Sequence, residues 1–134
     1  VSKRHKARAA ALNILFEGRL RGLNPIELLA ERGVGEIMEA DYAKILVSGV
    51  AENQAVIDGA IEGYAEGWDL DRMPVADLII AQIATYEILY QSNLDDAVAI
   101  SEAMLLANEF STENSGKFLN GVLGRISAVK EALL

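Results

Sequence analysis

Apolar residues recur along this chain at three- and four-residue intervals, the spacing of a helix face, and strand-like alternation is absent. The pattern predicts a first helix over about residues 2–21, with Leu12, Leu15, Phe16, Leu20 and Leu23 on its apolar side and Gly22 as its stop. Asn24-Pro25-Ile26-Glu27 then reads as a helix start: Asn as N-cap, Pro in the first turn, Glu where a capping box places it. That short helix ends at Gly33. A longer helical region is expected over about 40–66, with Tyr42, Ile45, Leu46, Gly49 and Val50, then Val56, Ile57, Ala60, Ile61 and Tyr64, as its apolar stripe. Gly59, Gly63 and Gly67 recur every fourth residue, a spacing that lets helices approach closely. The interleaved Glu62 and Glu66 exclude a lipid setting, so the pattern predicts tight packing in a bundle facing water.

Residues 68–74 read as a turn. The helix expected over 74–91 is apolar nearly all round, through Val75, Leu78, Ile79, Ile80, Ile83, Tyr86, Ile88 and Leu89, and so belongs at the centre of a bundle. Helices over 97–110 and about 115–133 complete the pattern, the last with Leu119, Val122, Leu123, Ile126 and Val129 facing inward. The expected organisation is a single all-α domain over 1–134, without a linker, low-complexity segment or repeat.

Composition narrows the chemistry. A chain of 134 residues buries roughly two-thirds of its unfolded surface, enough for a real core. It has no cysteine, which excludes disulfides and thiolate zinc sites, and its one histidine, His5, excludes a histidine metal cage or a catalytic triad. No apolar run approaches the ~18 residues of a membrane span, and the start lacks a signal-peptide pattern. Phosphate-binding loops, dinucleotide fingerprints and nucleophile elbows are missing too. Asp69/Asp71 and Asp95/Asp96 sit in turns, where Asp is favoured for its backbone hydrogen bonds rather than for acid–base work. The expectation is a cytoplasmic, non-enzymatic protein with no catalytic residue, metal or cofactor.

The net charge is −8, yet its distribution is uneven. Residues 1–22 carry Lys3, Arg4, Lys6, Arg8, Arg19 and Arg21 against Glu17 alone, a net of +5, and the remainder carries −13. A basic arm on an acidic body suggests different partners at each. Cations at a helix start oppose the macrodipole by about 0.3–1 kcal/mol each. Phosphates would reverse that sign, so Lys3, Arg4, Lys6 and Arg8 are candidate RNA ligands, with a solvated tail as the alternative. Arg4 and Arg8 lie one turn apart while Lys3 and Lys6 point elsewhere, which suits an irregular single strand. Lys117 and Phe118 form a second candidate, a charge beside a ring that could stack on an unpaired base; spacing alone favours Phe118 in the core. Glu87 stands among apolar neighbours, either capping a partly exposed helix end or meeting a protein partner.

Several of these stretches resemble the NusB family of transcription antitermination factors. Arg4-His5-Lys6-Ala7-Arg8 followed by Ala11-Leu12-Asn13-Ile14-Leu15-Phe16 is similar to its arginine-rich opening helix. Leu46-Val47-Ser48-Gly49-Val50 and Ile83-Ala84-Thr85-Tyr86-Glu87-Ile88-Leu89 resemble its middle helices. Val98-Ala99-Ile100-Ser101-Glu102-Ala103 and Phe118-Leu119-Asn120-Gly121-Val122-Leu123 resemble its most distinctive motifs. The resemblance is collinear and implies about seven helices in two packed three-helix subdomains. It further implies binding to the boxA element of ribosomal RNA leaders as a single strand, together with NusE, a ribosomal protein, and through them indirect action on the elongating RNA polymerase. Arg4, Lys6, Arg8, Lys117 and Phe118 match RNA-facing positions; Phe16 and Glu87 match positions facing the protein partner. Gln82, Asp95, Ser101 and Asn108 depart from the family's usual Arg, Pro, Asn and Lys, and the last thins the positive surface.

Two other readings stand beside this one. RNA cytosine methyltransferases carry a similar N-terminal domain; a chain ending at Leu134 leaves no room for their catalytic domain, so that reading stands only for a fragment of a longer protein. A purely protein-binding helical adaptor would make the basic arm incidental. The apolar surface flanking the basic helix also allows a homodimer that covers it.

Overall fold

The structure, a computed structural model, describes residues 3–37, 39–65 and 70–134. Its described residues form helices joined by turns: α1 (His5–Arg21), α2 (Pro25–Arg32), α3 (Ala40–Glu52), α4 (Gln54–Tyr64), a 3-10 turn (Leu70–Arg72), α5 (Val75–Tyr90), α6 (Asp96–Phe110) and α7 (Glu113–Leu133). The all-α expectation holds. Among the described residues no helix is long and apolar enough to cross a membrane. Two compact units divide the chain, Val1–Glu52 and Asn53–Leu134.

In the first unit α1, α2 and α3 pack on one another. Ala7, Ala11, Leu12, Ile14 and Leu15 of α1 meet Leu28 of α2 and Tyr42, Leu46, Val47 and Val50 of α3 in its core. Leu20 and Leu23 do not extend that stripe; they are 61% and 40% exposed. Leu20 follows Ala11 by nine residues, about two and a half turns, which puts it on the opposite side of the helix. The buried stripe ends instead at Gly18, where a Cβ would stand 3.1 Å from the Leu23 carbonyl oxygen and 3.6 Å from Pro25. That close approach lets the chain double back. Gly22 takes the left-handed conformation (φ 65°), and the Leu23 N–H closes on the Gly18 carbonyl at 2.8 Å. Asn24 caps α2 as expected, its Oδ1 accepting from the N–H groups of Ile26 (2.9 Å) and Glu27 (3.2 Å).

The single helical region expected over 40–66 is two helices, α3 and α4, broken at Asn53. Ile57, Ala60 and Ile61 are the buried side of α4. Gly59 and Gly63 are not points of close packing: an added Cβ would meet nothing within 4 Å at either. They lie between the buried positions and face outward. Gly67 and the Trp68-Asp69 part of the turn lie outside the described residues, as do Ser2 and Glu66.

In the second unit α5 packs against α4, α6 and α7, and every residue from Asp77 to Leu89 is buried. Its lack of a polar face therefore has the expected cause. Polar side chains tie the surrounding helices. Gln82 Nε2 donates to Asp58 Oδ1 at 2.8 Å, joining α5 to α4. Arg125 of α7 donates through Nε and Nη2 to the Tyr64 carbonyl, at 3.1 and 2.8 Å, satisfying a free acceptor at the end of α4. Gly121 leaves room for that guanidinium, which an added Cβ would meet at 3.3 Å. Asp96 opens α6 and accepts from Ser127 (2.5 Å) and Lys130 (3.0 Å) of α7. Its carboxylate is a structural tie.

Candidate functional site

Helical phase divides the four N-terminal cations. Lys3 and Lys6 are exposed, Arg4 is partly exposed, and Arg8 is buried, with 1% of its surface accessible. Arg8 lies one turn before Leu12 and so continues the core stripe of α1. Its grouping with the surface cations is thus corrected: a buried guanidinium does not present itself to a phosphate. The aromatic ring of Tyr42, from α3, takes up both arginines. The Arg4 guanidinium carbon stands 3.9 Å from the ring centroid and that of Arg8 5.8 Å.

Arg4 is further restrained by Glu39, whose Oε2 lies 4.0 Å from its Nε. Glu39 holds a left-handed backbone (φ 61°), and its carbonyl accepts the N–H groups of Tyr42 and Ala43 at the start of α3. The first turn of α1 contains no acid, and Arg4 at its N-cap makes no side-chain cap. The helix start therefore keeps its positive character, with Lys3, Lys6 and part of Arg4 available to an anion.

The far end of the same helix is different. Glu17 accepts from Arg21 at 2.6 Å and from both terminal nitrogens of Arg32 in α2, the Nη2 bond being 2.6 Å. The Arg32 hydrogen bonds, with a contribution from Arg21, hold the Glu17 carboxyl below the usual glutamate range, and Glu17 in turn raises Arg32. Arg21 is thereby paired within the first unit. The sequence reading missed this cluster because Glu17 and Arg32 are fifteen residues apart and meet only through the α1–α2 turn.

In the second unit Lys117 and Phe118 lie in the second turn of α7. Lys117 is exposed; Phe118 is half-buried, neither core nor free surface. Its ring lines a cavity of about 180 Å³ together with Met73, Pro74, Asp77, Thr112, Asn114 and Ser115. Asp77, in the first turn of α5, is 5% exposed and accepts from Ser111 Oγ on Oδ1 (2.5 Å) and from Ser115 Oγ on Oδ2 (2.8 Å). Thr112 caps α7, its Oγ1 accepting the Ser115 N–H at 3.3 Å. Asp77 carried no signal in the sequence beyond being an acid in an apolar stretch, the description that also fits Glu87.

Glu87 is buried to 1% exposure. The expected charge at an exposed helix end or partner rim is therefore corrected; enclosure of α5 by its neighbours covers this carboxylate. Phe16 is half-buried on α1. Among the described residues no group of three acids or histidines could hold a metal ion.

Comparison with known proteins gives one consistent result. The sequence profile of the NusB family matches residues 5–128. A transcription antitermination protein NusB from Salinispora tropica is 52% identical over 130 residues, 92% of this chain and 94% of that protein. The crystal form of NusB from T. maritima superposes with a TM-score of 0.84 at 34% identity, covering 93% of this chain and 90% of the other. A crystal structure of antitermination factors NusB and NusE in complex with double-stranded RNA gives a TM-score of 0.82 at 27% identity, covering 95% and 97%.

Proposed function

This chain belongs to the NusB family, and from that premise we propose that it is a transcription antitermination factor, an adaptor that binds the boxA-type leader of ribosomal RNA together with NusE. The observation that carries the reading is the match to named antitermination proteins over nearly their whole length. The structure adds chemistry suited to the role. Lys3, Lys6 and the outer part of Arg4 offer charge to phosphates at an acid-free helix start, and Lys117 beside Phe118 offers charge and a ring to an unpaired base. The acidic remainder suits a basic ribosomal protein, since complementary fields speed encounter and fix orientation.

Phe16 is the partner-facing residue this reading retains on the surface. Glu87, enclosed on α5, is not offered at the surface as a partner contact. The protein works in the cytoplasm, without catalysis or cofactor, and reaches RNA polymerase through its partners.

Titration of labelled boxA-type single strands, scrambled single strands and duplex RNA, each with and without NusE, tests the proposal. Tightest binding is expected for the boxA-type strand with NusE present. Equal binding to all three RNAs, or loss of RNA affinity on adding NusE, overturns it.

A further inference from the structure

The buried carboxylate of Asp77 does nothing at the surface, yet it governs where a surface segment sits. Both its oxygens are used, one by each hydroxyl of Ser111 and Ser115. Those hydroxyls stand 3.0 Å from each other, and Thr112 Oγ1 stands 3.0 Å from Ser115 Oγ. The cluster joins the first turn of α5 to the turn that opens α7. Hydroxyl-to-carboxylate hydrogen bonds are short and strong, and in a water-poor setting they fix both partners.

Ser115 precedes Lys117 by two residues and Phe118 by three, within one turn of helix. Fixing Ser115 therefore fixes the phase in which Lys117 points outward and Phe118 leans over the cavity, whose wall Asp77 itself forms.

We infer that Asp77 is a positioning residue for RNA binding: through Ser111 and Ser115 it sets the start of α7 so that Phe118 is held ready for a base. The inference rests on the proposed reading of Phe118 as an RNA contact. It makes Asp77 affect RNA affinity through Phe118, because the long, flexible side chain of Lys117 reaches a phosphate without needing a fixed helix phase.

A double-mutant cycle with the full chain and boxA-type RNA separates these effects. Asp77→Ala is expected to weaken RNA binding about fivefold in the native background and to add almost nothing once Phe118→Ala is present, the signature of two coupled residues. Asp77→Asn should restore affinity, because its amide can accept from one serine and donate to the other. Where Asp77→Ala does not fold, Ser111→Ala and Ser115→Ala, each removing one donor, take its place in the cycle. Equal losses in both backgrounds, or failure of Asn to rescue, overturn the positioning role. If Phe118→Ala alone leaves RNA affinity unchanged, the reading of Phe118 fails and the inference falls with it; if Phe118→Ala weakens binding and Asp77→Ala does not, only the inference falls.

Discussion

The starts of α1 and α7 both carry candidate RNA-facing residues, and they are prepared in opposite ways. At α1 the cations crowd a helix end that repels them, and Tyr42 draws two of the four arginines and lysines toward the protein. At α7 a buried acid pins the turn from beneath, leaving the cation outside and the ring at the edge of a cavity. The first arrangement offers charge, exposed at Lys3 and Lys6 and restrained at Arg4; the second offers a fixed shape. A charge in the sequence thus says little about where it acts until the helix phase beneath it is known.

The largest expected effect tests the division within α1. Arg8→Gln should lower stability by about 3 kcal/mol, since removing a buried cation strips its partners of their match. Lys6→Gln, one helical position pair away on the exposed face, should stay within about 0.5 kcal/mol of the parent. Denaturant unfolding of both variants decides it; comparable stabilities would erase the contrast between the two faces.

Next comes the ring of α7. Phe118→Ala should cost ~1–3 kcal/mol of RNA affinity while the salt dependence stays unchanged. Its stability loss should fall short of the ~3–5 kcal/mol of a fully buried phenylalanine. Melts and RNA titrations on the same sample check both.

The arm should give the complementary result. Replacing Lys3, Arg4 and Lys6 with Gln should flatten the slope of log affinity against log salt by up to ~2 units, at about 0.7 per phosphate released. Stability should hold or rise, because cations leave a helix N-terminus. Arg8 is kept in this variant so that unfolding does not masquerade as lost RNA contact. An unchanged slope would remove the arm from the interface.

The smallest effect concerns the other end of α1. The Glu17 carboxyl is held below its ordinary range by Arg32 and Arg21, so its contribution to stability is present at neutral pH and lost as the pH falls through its folded value. Glu17→Gln should therefore lower stability slightly at pH 7 and converge with the parent in acid. A constant gap across that range, measured by chemical unfolding, would show that these exposed pairs act by packing alone.

Much of the fold was legible because period and punctuation agree locally. Asn24-Pro25 marked the α2 start, and the apolar circumference of α5 announced its enclosure. What escaped depended on partners distant in sequence. Leu20 and Leu23 looked like core until the turn at Gly18 ended the stripe, and Gly59 and Gly63 suggested a close neighbour that is not there. At the candidate site, Arg8 could have been placed by noticing that it shares a face with Leu12. Asp77 could not, since its meaning comes from serines thirty-four and thirty-eight residues away.

The enclosure of α5 also imposes an order in time. Its two downstream neighbours, α6 and α7, occupy Asp96–Leu133. On the ribosome, at about 5–20 residues per second, synthesis of that stretch takes roughly 2–8 s. Throughout that interval the most apolar helix of the chain has only α4, of the three helices that pack on it, while the helices of the first unit already have all their internal partners. Newly made chains of this protein are therefore most open to stray association in the seconds before α7 closes over α5.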